Sequence, residues 1–199
     1  MAARHFTKME ARAAALDATR QFSARSAGQI LDSVRANTRD SETFDIFLSH
    51  AIADAELVLG VKQLLEQQGA TVYVDWSHDR QLDRSKVNAE TAALLRQRMR
   101  QSKTLIYLAT DAATTSKWMP WELGFFDGFR SGGVAIMPLL DRETDGFAGQ
   151  EYLGLYPKVT KDHYQNSVVS DTFVEGFGRW TTLKSFKAGT PNWQSYTRP

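Results

Sequence analysis

The chain has 199 residues and a formal charge of +1, from 24 Lys and Arg against 23 Asp and Glu. One domain with an appendage is expected at this length, because single domains centre on roughly 150 residues, and so even a charge balance gives no electrostatic support for a nucleic-acid partner. With 42% hydrophobic residues and no cysteine, the chain reads as globular, and disulfide scaffolds, thiolate nucleophiles and Cys-ligated metals are excluded.

Residues 1–42 read as a helical extension. Up to position 40 they hold seven basic residues (Arg4, Lys8, Arg12, Arg20, Arg25, Arg35 and Arg39) against four acidic ones. Phe6, Met9, Leu16 and Phe22, then Ile30, Leu31 and Val34, recur at loosely helical spacing with a break near Ser26-Ala27-Gly28. One or two amphipathic helices are expected, serving packing or oligomerisation. The acids Glu10, Asp17, Asp32 and Asp40 argue against a transit peptide.

From Phe44 the pattern alternates between strand and helix. Phe44-Asp45-Ile46-Phe47-Leu48 is a first strand, leading to Ser49-His50. Asp54 to Gln68 has helical apolar spacing with Gly69 as its C-cap. Thr71 to Val74 is a second strand ending at Asp75-Trp76, followed by a polar loop, Ser77 to Ser85, with His78, Asp79, Arg80, Asp83 and Arg84. That loop reads as a solvated stretch, or as a lid or association surface. A helix from Lys86 to Gln101, a third strand Thr104 to Leu108, a helix carrying Trp118, Trp121, Phe125, Phe126 and Phe129, and a fourth strand Val134 to Leu139 follow. Val159 marks a short fifth strand and Ser170 to Leu183 a last helix. Such alternation predicts right-handed βαβ crossovers and a mostly parallel sheet covered on both faces. Ligands of such sheets bind beyond the carboxyl ends of the strands, which nominates Ser49-His50, Asp75-Trp76 and the 110–118 region.

Several chemistries are missing their motifs. There is no glycine-rich phosphate loop and no Gly-x-Ser-x-Gly elbow to make Ser49 a hydrolase nucleophile. The four histidines, His5, His50, His78 and His163, lack metal-binding spacing, so no metal site is expected. No apolar run reaches the length of a membrane span, and the first twenty residues lack a secretory core; a soluble cytoplasmic chain without membrane or nucleic-acid partners is expected. What remains is Ser116-Lys117-Trp118-Met119-Pro120-Trp121-Glu122-Leu123. Trp118 and Glu122 are four apart and share a helix face. An indole beside a carboxylate suits a cationic heteroaromatic substrate: the ring stacks on a pyridinium, and the carboxylate stabilises positive charge as a glycosidic bond breaks. Nicotinamide leaves as a neutral molecule, so one carboxylate suffices without a general acid. The plainer alternative is core packing by the aromatics, with Glu122 a first-turn acid at the helix dipole. Asp45, an acid inside an apolar strand, is expected to be paired or hydrogen-bonded.

The segments Phe44 to His50, Val72 to Trp76 and Ser116 to Leu123 together resemble the Toll/interleukin-1 receptor (TIR) domain family, over about residues 43–180. The resemblance is to the stand-alone TIR proteins of bacterial anti-phage systems of the Thoeris type. Met119 replaces that family's usual cysteine, and the loop after Trp76 lacks its Arg-Asp-x-x-Pro-Gly. The resemblance implies a flavodoxin-like, doubly wound parallel sheet of five strands in the order 2-1-3-4-5, as a domain over residues 43–185 with a tail at 186–199. It implies an NAD+ glycohydrolase or ADP-ribosyl cyclase, with NAD+ as substrate and no cofactor. Glu122 would be catalytic and Trp118 would stack on a base, with Ser49, His50, Asp75 and Trp76 lining the pocket by position. Self-association through TIR surfaces, and a separate effector responding to a cyclic ADP-ribose signal, follow from the same resemblance. A non-catalytic TIR scaffold and a nucleoside deoxyribosyltransferase-like enzyme are the alternatives.

Overall fold

The computed structural model describes residues 4–22, 25–76, 89–161 and 172–196. Strand β1 (Phe6–Thr7) leads directly into α1 (Lys8–Gln21), whose start is fixed by a capping box: the Glu10 N–H donates to Thr7 Oγ1 and the Thr7 N–H to the Glu10 carboxylate. Ser26 and Gln29 repeat the device for α2 (Ala27–Asn37), which explains the interruption between the two helices. There follow β2 (Phe44–Ser49), α3 (Ala55–Gln67), β3 (Val72–Tyr73), α4 (Ala89–Arg100), β4 (Ser102–Ala109), α5 (Trp118–Phe129) and β5 (Val134–Leu140). Gly69 ends α3 with φ +71, the left-handed conformation that suits glycine. The expected loop Ser77–Ser85 and the first residues of the expected helix at Lys86 lie outside the described residues.

The sheet is mixed and longer than five strands. Beyond β6 (Lys158–Thr160) the chain adds β7 (Phe173–Gly176), β8 (Arg179–Thr182), a short α6 (Leu183–Lys187) and β9 (Gln194–Ser195). The strands run β3-β2-β4-β5-β6-β7-β8-β9, parallel as far as β6 and antiparallel from there on, while β1 pairs in parallel with Leu139 and Leu140 of β5. The helix expected over Ser170 to Leu183 is therefore corrected: from Phe173 this stretch is a hairpin. Phe177 and Gly178, at φ +58 and +75, form its two-residue turn, whose backbone matches the twist of the flanking strands.

Two cores flank the sheet, because successive strand residues face opposite sides. Ile46, Leu48, Ile106, Leu108 and Met137 pack under α1, α2, α3 and α6; Phe47, Leu105, Tyr107 and Ile136 pack under α4 and α5. The N-terminal extension belongs to the first of these cores. Ala11, Ala15 and Ala18 of α1 are buried against α3, so closely that a Cβ on Gly60 would stand 1.8 Å from the Ala11 carbonyl oxygen. Lys161 ties this segment down, its Nζ lying 2.7 Å from both Glu10 of α1 and Glu143 after β5. Lys8 reaches Asp111 at 2.8 Å and Asp141 at 3.3 Å, the loops that follow β4 and β5. Asp45 meets its expectation of a partner: it accepts from the Thr71 N–H at 3.0 Å and pairs with Lys103 at 2.8 Å.

Candidate active site

Ser49 ends β2 on the face that looks toward α5, since it shares the parity of Phe47. Helix α5 begins at Trp118, where the Met119 N–H donates to Ser116 Oγ at 3.3 Å and Pro120 occupies the first turn without loss. Its buried stripe is Trp118, Met119, Glu122, Leu123 and Phe126. That stripe carries one acid into an otherwise apolar contact. There the Ser49 hydroxyl donates to Glu122 Oε2 at 2.5 Å, with Ser49 1% and Glu122 4% exposed. A short hydrogen bond to a carboxylate is among the stronger polar contacts available. It leaves the second carboxylate oxygen to other partners.

The other expected residues gather at the same end of the sheet. His50 Nδ1 lies 2.8 Å from the Leu48 carbonyl, which can only accept, so Nδ1 carries a proton. The imidazole stacks on Trp76, with centroids 5.7 Å apart and planes 17° from parallel. The Trp76 indole N–H is buried without a hydrogen-bond partner among the described residues. Trp118 stands one turn before Glu122 and packs edge-on to Trp121, 5.4 Å between centroids. Asp75, just past β3, is also tied to the N-terminal extension. Its Oδ1 lies 3.4 Å from Arg35 Nε on α2 and accepts from the Tyr73 hydroxyl at 3.4 Å. Burial, then the Asp75 charge, pushes the Tyr73 phenol far above its ordinary value.

One neighbour was not legible as a site residue. Tyr107 on β4 pairs in register with Ser49 and is fully buried. Burial, then Tyr152 and the charge of Glu122, pushes its phenol upward, which places it within electrostatic reach of the carboxylate. Thr110, just past β4, donates to Asp54 at 2.6 Å and so joins the loops that follow β2 and β4. Strand register would have exposed Tyr107, but register depends on pairing that a single chain does not display. Among the described residues no group of His, Asp and Glu forms a metal cage, and no helix is long and apolar enough to cross a membrane. A cavity of about 410 Å³ between α2 and the β3 edge contains none of the expected site residues.

The family model described as TIR domain matches residues 46–167. A protein of Bacillus cereus (strain MSX-D12) named "Probable 3' cyclic ADP-D-ribose synthase ThsB'" is 46% identical over 149 residues, 74% of this chain and 77% of that protein. A protein of Cytobacillus dafuensis named "Putative cyclic ADP-D-ribose synthase TIR2" is 28% identical over 90 residues, 45% of this chain and 24% of the relative. The matched region spans β2 to β6, including Ser49, Trp118 and Glu122, and the chain belongs to the TIR domain family.

Proposed function

We propose that this chain is a cyclic ADP-ribose synthase that cleaves the nicotinamide–ribose bond of NAD+. The buried Ser49–Glu122 hydrogen bond at the carboxyl end of β2 carries the reading, in a chain akin to two proteins named as such synthases. As the bond to nicotinamide breaks, its electron pair leaves with the neutral ring and positive charge grows on the ribosyl carbon. The Glu122 carboxylate stabilises that charge, in a site whose burial strengthens the interaction. Ser49 acts through Glu122 by fixing one of its oxygens. Trp118 supplies a face for a base, and His50, Trp76 and Asp75 border the pocket; the unpartnered Trp76 N–H offers a donor there. NAD+ is consumed as substrate, and no separate cofactor or metal enters the chemistry.

The five parallel strands in the order β3-β2-β4-β5-β6 support a flavodoxin-like core, over residues 43–185 of the TIR unit. In the same reading the protein acts in the cytoplasm, self-associates through its TIR surfaces, and makes a signal for a separate effector in anti-phage defence. The test is incubation of purified protein, dilute and concentrated, with NAD+, beside Glu122→Gln, with products resolved by mass spectrometry. The wild type is expected to release nicotinamide with a cyclic ADP-ribose product. The variant keeps the side-chain volume, loses the charge and falls silent. Wild-type nicotinamide release by Glu122→Gln would refute the assignment.

A further inference from the structure

A second cavity, of about 250 Å³, opens beyond the carboxyl ends of β4 and β5. Its floor is Tyr107, the register neighbour of Ser49, and its walls come from the 111–115 turn and the 146–153 segment. Three observations say what it holds. Its volume lies below the roughly 300–1,000 Å³ of pockets for drug-sized ligands, so it suits one ring system and not a whole dinucleotide. Its described lining contains the Phe147 ring, Thr114, Gln150 and the carboxylate of Asp111 but no lysine or arginine, so it suits an uncharged heterocycle with hydrogen-bond donors and not the diphosphate. The Tyr107 hydroxyl is buried and has no hydrogen-bond partner among the described residues, whereas the neighbouring Tyr152 hydroxyl donates to Gln150. A buried hydroxyl left unmatched costs stability unless something else satisfies it.

We infer that this cavity is the subsite for the adenine ring of NAD+, holding the adenosine half folded back toward Glu122 so that the ribosyl carbon is captured within the molecule instead of by water. The inference rests on the NAD+-cleaving reading above. In the cyclising turnover the bond from the ribosyl carbon to nicotinamide breaks, and its electron pair leaves with nicotinamide. A nucleophilic atom of the adenosine half then bonds to that carbon and releases one proton to water. Hydrolysis differs only in that water supplies the oxygen. Because the two fates share the first step, a subsite that holds the adenosine half close raises the effective concentration of the internal nucleophile. It governs the ratio of products separately from the rate of cleavage.

The test is the ratio of cyclic to linear ADP-ribose formed by the full chain. Tyr107→Phe removes only the hydroxyl and is expected to lower that ratio about fivefold, the worth of one neutral hydrogen bond. Gly146→Phe attacks the same subsite by volume, since Gly146 lines the cavity and a Cβ there meets no atom within 4 Å. Its ratio is expected to fall tenfold or more. In both variants the cyclic share falls by more than nicotinamide release does. An unchanged ratio in Gly146→Phe, with a wild-type melting temperature, would overturn the subsite whatever Tyr107→Phe does. A wild type that makes only linear ADP-ribose would overturn it too, while leaving NAD+ cleavage standing. A wild type that releases no nicotinamide would instead remove the reading on which it rests.

Discussion

Removing the Ser49 hydroxyl tests whether the buried pair at the end of β2 is functional. In Ser49→Ala, Glu122 loses its 2.5 Å donor while remaining 4% exposed, so water cannot readily take the place of the lost bond. Hydrogen bonds to charged groups contribute about 1.5–3 kcal/mol. If the bond serves to hold the carboxylate where charge develops, that energy is lost from the transition state, and kcat falls about tenfold to a hundredfold at about 1.4 kcal/mol per decade. KM moves little, because Ser49 acts through Glu122 and not on the substrate. The same loss lowers the melting temperature by about 3–12 °C, at about 2–4 °C per kcal/mol for a chain of this length. Ser49→Thr restores a hydroxyl at the same place and recovers most of the rate. Initial rates of nicotinamide release across NAD+ concentrations separate kcat from KM, and thermal melts give the stability. A Ser49→Ala enzyme that melts earlier yet keeps wild-type kcat would refute the argument, since the bond would then serve the fold alone.

Gly60→Ala places a methyl against the Ala11 backbone, which has no flexible end to move aside, so α1 must lift from α3. We expect a loss of about 1–3 kcal/mol in urea unfolding, whereas Gly124→Ala, with nothing within 4 Å of its new methyl, should be neutral or stabilising. Burial opposes charge on Asp45, but Lys103, the Thr71 N–H and Lys187 outweigh it and hold the carboxyl below its ordinary value. A depressed folded pKa gives stability that is present above the unfolded value of about 3.9 and is lost as pH falls through the folded one. Asp45→Asn should therefore be less stable than the wild type at pH 7, with the gap in urea midpoint narrowing as pH falls below about 3.9; a gap that stays constant would contradict the pairing.

The central parallel strands were readable because burial on both faces leaves nearly continuous apolar runs in the sequence, as Ile46 to Leu48 and Val134 to Leu139 do. Trp118 and Glu122 were readable because helical spacing alone puts them on one face. The hairpin from Phe173 to Thr182 was misread as a helix because its turn is Phe-Gly where Asn-Gly or Asp-Gly usually announces a reversal. Flanking Val174, Trp180 and Thr181 carried the strand preference, but over only four residues on each side. Strand β1 is two residues long and leaves no periodic trace at all. The tie from Asp75 to Arg35 joins segments forty residues apart in the chain, and no local pattern records such a pairing.

The grip of Lys161 on Glu10 and Glu143, with that of Lys8 on Asp111 and Asp141, has a consequence for what counts as the folding unit. Family resemblance begins at residue 46, whereas the interlock begins with the first described residues. A protein trimmed to the family's bounds would strip the covering from the Gly60 face of α3, leave Asp111 and Asp141 without Lys8, and leave Lys161 without Glu10. The family's bounds and the packed unit are thus not coextensive here. One face of helix α1 belongs to the interior, so that the loops after β4 and β5 are braced by a segment lying outside the family's bounds.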